Sequence, residues 1–326
     1  MLQRLGRTKL LMIAGAAILA VALATVLVGL FVFRTIYGAP QPDRNAPLGP
    51  LDDLTVSENI AYIPDAETNP RQQLDIYAPQ LAERETRPVI VFFHGGAWVG
   101  GSRQQFRWMG AGLARQGYVA VVPNYRLYPE VKWPEFVRDS ASAVRWVKDN
   151  IADYGGDPDQ LVLMGHSSGA FNVLSLAVEP QWLAAEGMDP VRDIKAVIGL
   201  SGVYNMLPLT GDNENAIFAN GYVEMINNVT GNSPPVLFPV SPADWIAKSS
   251  DPEMMAAKIT AQGGIAEVIS YPGLDHSGTV TAMGDAFDAP DIPIQQDVAR
   301  FLKEHGVTVP SRPAAASTGG EAAPQS

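Results

Sequence analysis

The chain has 326 residues, a formal net charge of −11 and no cysteine, which suits one large domain with short extensions. Disulfides, thiol catalysis and cysteine-ligated zinc are excluded, and so acidic a surface repels phosphate backbones, arguing against nucleic acid as a partner. A composition of 47% hydrophobic and 17% charged residues excludes a wholly disordered chain.

Residues 1–9 carry Arg4, Arg7 and Lys9 and no acid, and residues 10–33 (LLMIAGAAILAVALATVLVGLFVF) carry no charge at all. As a helix this stretch would reach about 36 Å, enough to cross a hydrocarbon core of about 30 Å. The expectation is a single membrane anchor, with the basic flank on the cytoplasmic side and the rest exported to the periplasmic or extracellular side. A cleaved secretory signal ending at Ala22-Leu23-Ala24 is the alternative, but the apolar run continues to Phe33 and is longer than such signals require. Residues 34–51 are proline-rich and read as a linker, and residues 308–326, small, polar and proline-bearing, read as a disordered tail.

Between them, residues 52–307 alternate short apolar runs with amphipathic ones, the pattern of an α/β domain around a mostly parallel sheet with helices on both faces. Strands are expected at Leu74–Tyr77, Val89–His94, Tyr118–Tyr125, Leu161–Gly165, Ile194–Leu200, Pro235–Val240 and Ala266–Tyr271. Helices are expected at Gln104–Gln116, from Pro134 to about Tyr154, from the residues after Ser167 to Val178, at Pro252–Gln262 and at Ile294–Glu304. Gly155-Gly156-Asp157-Pro158-Asp159 reads as a turn. Residues 203–233 read as a small cap segment, with Leu207, Leu209, Ile217, Phe218, Tyr222 and Met225 as its pocket lining.

The residues that carry chemistry sit where the strands end. Gly165-His166-Ser167-Ser168-Gly169 is a G-x-S-x-G between the apolar strand LVLM and the helical segment AFNVLSLAV. That is the strand–turn–helix context that exposes a serine nucleophile at a sharp turn. His94-Gly95-Gly96-Ala97-Trp98 follows the strand VIVFF. Glycines there let backbone N–H groups approach a developing oxyanion, so the N–H groups of Gly95, Gly96 and Ser168 are the expected oxyanion hole. Trp98 either lines the site or packs beneath it.

With HGGAW, YRLYPE (125–130), YGGDP and GHSSG in this order, followed by LSGVYN at 200–205 and YPGLDH at 271–276, the chain resembles esterases and lipases of the hormone-sensitive-lipase-like group. The resemblance covers residues 58–305. It implies an α/β-hydrolase fold, no cofactor and no metal, and hydrolysis of carboxylic esters of small molecules. Arg126 and Glu130 match a signature of the group and are expected to form a structural pair.

Only four histidines exist. His94 and His166 belong to the two glycine loops and His305 closes the last helix, which leaves His276, on a loop near the end of the fold, as the base. Chain order Ser…Asp…His places it there. In the resembling group a strand with two leading prolines runs into the triad acid. Here Pro234-Pro235 leads to Asp244, although Val240-Ser241 replaces a His-Gly pair and Pro239 interrupts the run. Asp244 is therefore the expected acid, with Asp275, Asp251 and Asp212 as alternatives. The expected function is a serine carboxylesterase acting on short-acyl or aryl esters. An amidase of small aryl formamides and an inert binding module on the same fold remain as alternatives.

Overall fold

The computed structural model describes residues 50–64, 69–82, 85–209, 211–218, 221–284 and 292–310. The expected anchor at 10–33, its basic flank, nearly all of the linker and the tail beyond Pro310 lie outside the described residues. Among the described residues, no helix is long and apolar enough to cross a membrane.

The domain is built on one eight-stranded sheet in the order β1-β2-β4-β3-β5-β6-β7-β8. The strands are β1 (Leu54–Ala61), β2 (Gln73–Pro79), β3 (Arg87–Phe93), β4 (Val119–Pro123), β5 (Gly156–His166), β6 (Ile194–Leu200), β7 (Val236–Val240) and β8 (Ala266–Ser270). The β1/β2 and β2/β4 pairs are antiparallel, and every pairing from β4 to β8 is parallel. The longer helices are α1 (Arg107–Arg115), α2 (Glu135–Asn150), α3 (Ser168–Val178), α4 (Ser250–Ala261) and α5 (Ile294–Glu304).

Strand side chains alternate between faces, and the core divides accordingly. Val89, Val91, Phe93, Leu161 and Leu163 pack with Phe136, Val144 and Val147 of α2, Phe171 and Leu174 of α3 and Ile259 of α4. Ile90, Phe92, Val162, Met164, Ala196 and Ile198 pack on the other face with Met109 and Leu113 of α1 and with Ile294, Val298, Phe301 and Leu302 of α5. Those four α5 residues recur at the spacing of one helical stripe. α3 is buried along its whole length and lies inside the domain, with Asn172 among its buried residues. Burial of each large aliphatic or aromatic side chain contributes about 1.5–3 kcal/mol, which is why the continuous runs in β3 and β5 fold as central strands.

Three expectations need correction. β1 had no place in the sequence pattern, because this edge strand leaves much of its side-chain surface exposed and carries a bulge between Ser57 and Ile60. The stretch 155–159 is not all turn: only Gly155 takes the left-handed conformation, with φ of 78°, and β5 already begins at Gly156, paired with Arg87. Arg126 does not pair with Glu130. Its guanidinium and its backbone N–H both bind the carboxylate of Asp139 on α2, while Glu130 accepts from Asn69.

Both ends of the described domain meet the sheet at the amino ends of its parallel strands. Arg87, the first residue of β3, donates to the Pro310 carbonyl at 2.7 Å. Arg115, at the end of α1 and just before β4, donates to the Pro50 carbonyl at 3.2 Å. Ser167 follows the last residue of β5 and therefore lies at the opposite end, outside the carboxyl ends of the parallel strands, where open α/β sheets bind ligands.

Candidate active site

β5 runs straight into Ser167, which has φ 53° and ψ −120°. A side chain in that region is strained, and the surroundings must hold it there. The flanking glycines show how. A methyl group on Gly165 would lie 2.3 Å from the Gly169 carbonyl oxygen, and one on Gly169 would lie 2.1 Å from that of Phe93. Strand and helix can thus approach closely only where no side chain intervenes. The Ser167 N–H donates to the Leu200 carbonyl of β6 at 3.0 Å, and α3 starts at the next residue, so its N-terminal dipole favours negative charge here.

The loop after β3 is turned just as sharply. Gly96 has φ 131°, and Ala97 and Trp98 also have positive φ, 51° and 58°. The Gly96 carbonyl accepts from both Val99 and Gly100 at 3.0 Å. Among the described residues, no acceptor takes the N–H of Gly95 or Gly96. A methyl on Gly95 would lie 3.1 Å from the Ser167 β-carbon, which brings this loop against the serine turn. His94 fixes the loop from below. It is fully buried, stacks on Tyr125 with centroids 4.6 Å apart, and bonds the Gly95 carbonyl through Nδ1 at 2.9 Å. Burial pushes its pKa down to about 4, so it is neutral at physiological pH. The Trp98 ring packs against Phe136, Phe171 and Phe218 and donates to Asn172 at 3.1 Å, so it belongs to the core beneath the loop.

Asp244 and His276 meet. His276 Nδ1 lies 2.8 Å from Asp244 Oδ2, and Asp244 Oδ1 accepts the backbone N–H groups of Ile246 and Ala247 at 2.9 and 2.8 Å. Burial alone would raise the Asp244 pKa, but His276 and the two N–H groups outweigh it and hold the carboxyl below its ordinary value. An ionised carboxylate only accepts, so His276 Nδ1 carries the proton and Nε2 is left free to take one. The other aspartates are engaged elsewhere. Asp275 caps the Gly278 N–H at 2.7 Å, Asp251 accepts from the Asn205 N–H, and Asp212 opens a short helical turn, Asp212–Ile217.

Val240-Ser241, where the resembling group has His-Gly, proves constructive. The Ser241 hydroxyl donates to the Leu274 carbonyl at 2.5 Å, tying the Asp244 loop to the His276 loop. His166 reaches the base loop too, with Nε2 2.9 Å from the His276 carbonyl. Neither contact had a signal in the sequence, since serine and histidine are ordinary at such positions. In the cap, Ile217, Phe218, Tyr222 and Met225 are buried in the core shared with Phe171, whereas Leu207 is exposed. Of the six residues expected to line a pocket, these four are thus core residues, Leu209 packs against the core, and Leu207 faces solvent.

The chain and its fold are similar to those of known ester hydrolases. The BD-FAE family profile matches residues 74–259. An isoprenylcysteine alpha-carbonyl methylesterase of Arabidopsis thaliana is 28% identical over 232 residues, covering 64% of this chain and 54% of that protein. Esterase LipQ of Mycobacterium tuberculosis is 38% identical over 116 residues, covering 35% of this chain and 27% of that protein. The chain thus spans about half or less of the length of these curated relatives. Among solved structures, esterase B from Lactobacillus rhamnosis superposes with a TM-score of 0.71 at 20% identity, covering 86% of this chain and 95% of that one. Esterase 2 of Thermogutta terrifontis gives 0.64 at 24%, covering 81% and 98%. The chain belongs to the BD-FAE family, among the α/β-hydrolases of the hormone-sensitive-lipase-like group.

Proposed function

We propose that this protein is a serine carboxylesterase that hydrolyses short-acyl or aryl esters through an acyl-enzyme. The observation that carries this reading is the Asp244–His276 pair at 2.8 Å on the loops after β7 and β8, linked through the His166–His276 contact to the neighbour of a serine held at positive φ after β5. Ser167 Oγ attacks the ester carbonyl while His276 Nε2 takes its proton. Asp244 keeps the imidazole in the right tautomer and stabilises the imidazolium. The N–H groups of Gly95, Gly96 and Ser168 receive the oxyanion, a role in which a single donor is worth about 3–4 kcal/mol. His276 then protonates the departing alcohol, and water repeats the cycle on the acyl-enzyme.

An intact acid–base pair favours an enzyme over a binding module, and the relatives named as esterases favour ester over amide substrates. The segment 203–233 is short and can wall only a modest pocket, which supports a small acyl group. Ser167→Ala should stay folded, lose at least about 1,000-fold in p-nitrophenyl acetate hydrolysis and take no fluorophosphonate label. A labelled variant would overturn the assignment. Turnover of acetate and butyrate esters should exceed that of hexadecanoate esters. The apolar run 10–33 further supports a membrane-anchored protein with its domain exported, which carbonate extraction tests; a soluble mature form beginning near residue 25 would overturn it.

A further inference from the structure

His166 occupies the position before the serine, is 6% exposed, and touches both of the loops that must be set relative to Ser167. On one side, its Nδ1 would lie 2.8 Å from a methyl group on Gly95, so the ring bears on the oxyanion loop. On the other, its Nε2 lies 2.9 Å from the main-chain carbonyl of His276, and the two imidazoles are 4.9 Å apart at 47°. A carbonyl can only accept, so Nε2 carries the ring's proton. Nδ1 is buried and has no hydrogen-bond partner among the described residues. Adding a second proton would bury an unsatisfied N–H beside a base that must itself become a cation. Burial, together with the neighbouring His276, accordingly pushes the His166 pKa down to about 3.

The contact matters because of how the base loop is held. The Tyr271 N–H joins it to the end of β7, Ser241 takes its Leu274 carbonyl, and Asp244 takes the His276 ring. All three contacts lead to the acid side of the site, while three residues beyond the base Thr279 bonds Ser201 at the end of β6 at 2.9 Å. The His166–His276 bond leads to the nucleophile side, because His166 is backbone-paired with Leu200 of β6 and is joined directly to Ser167. We propose that His166 is a positioning residue, whose Nε2–H bond to the His276 carbonyl sets the base relative to Ser167. The proposal rests on the reading of Ser167 and His276 as nucleophile and base. Since the neighbour is neutral, stabilisation of the His276 imidazolium is left to Asp244, with no opposing charge from the serine side.

The test compares the wild-type full chain with His166→Phe and His166→Gln in burst and steady-state kinetics on p-nitrophenyl acetate. The downfield proton NMR resonance of the His276–Asp244 hydrogen bond is recorded for each. Phenylalanine keeps a planar ring and removes the donor; glutamine keeps a side-chain N–H of similar reach. His166→Phe should lose about 10- to 100-fold in kcat with KM nearly unchanged, the loss expected of a catalytic group displaced by about 1 Å, and its resonance should shift. Glutamine should restore most of the turnover and the wild-type resonance. A His166→Phe variant with wild-type kcat and an unmoved resonance overturns the proposal. So does a His166→Gln variant that melts like wild type yet is slow, and this second outcome decides the matter if the phenylalanine variant does not fold. A wild-type protein with no acyl-enzyme burst and no fluorophosphonate label would instead overturn the esterase reading, and with it this proposal.

Discussion

The nucleophile side and the acid–base side of the candidate site achieve the same precision by different means. Around Ser167 and Gly95, position comes from the backbone: glycines where any side chain would collide, positive φ at Gly96, Ala97, Trp98 and Ser167, and a buried helix directly behind. Around Asp244 and His276 the loops are irregular and side chains do the holding. Asp244 grips two backbone N–H groups and the imidazole, Ser241 grips Leu274, and His166 grips His276 from across the site. A backbone-built site admits few residue types at each position, whereas a side-chain-built one can exchange its ties as long as some donor reaches the same acceptor.

Substitutions on the two sides should therefore fail differently. After the loss at Ser167→Ala, the largest expected effect is Asp244→Asn, which should lower turnover by on the order of 100-fold or more with little change in fold, while Asp251→Asn and Asp212→Asn stay near wild type in the same assay. A fast Asp244→Asn enzyme would remove the acid–base half of the comparison. Gly169→Ala should act on stability first. Its methyl would meet the Phe93 carbonyl, and overpacking of this kind costs about 1–3 kcal/mol or more, read from urea denaturation. Ser241→Ala removes one tie between the loops and should cost about 1 kcal/mol in stability, with turnover falling by less than about tenfold. Equal effects from Gly169→Ala and Ser241→Ala would mean the two sides are not built differently after all.

The smallest effect is in pH. The Asp244 pKa is lower in the folded protein than in the unfolded chain, so its contribution to stability is present above the ordinary carboxylate value and lost as pH falls through the folded one. The difference in unfolding free energy between wild type and Asp244→Asn should stay level from neutral pH to about pH 5 and shrink below about pH 4. Urea titrations across that range measure it.

What could be read from the sequence follows the same division. Ser167, Gly95 and Gly96 stood out because positive φ or close approach demands particular residues beside apolar strands. His276 followed from scarcity, there being four histidines in the chain. Asp244 was singled out through resemblance, and the contacts that hold the two loops, from Ser241 and His166, were not visible at all, because each is a single long-range hydrogen bond from a common residue type. The central strands were plain as apolar runs. β1 was not, since an edge strand with exposed polar side chains looks like a loop. Asp139, the true partner of Arg126, hid on a helix face thirteen residues away, buried among apolar neighbours.

The arginine contacts at Pro50 and Pro310 have a practical side. Because Arg87 and Arg115 hold residues 310 and 50 at the amino ends of the strands, away from Ser167, either is a suitable handle. A bead, an electrode or a fused reporter joined through residue 50 or residue 310 would leave the carboxyl edge of the sheet facing solution. Immobilising the domain by one end or the other should then give the same activity per bound molecule, while attachment through a lysine chosen at random should give a spread of activities.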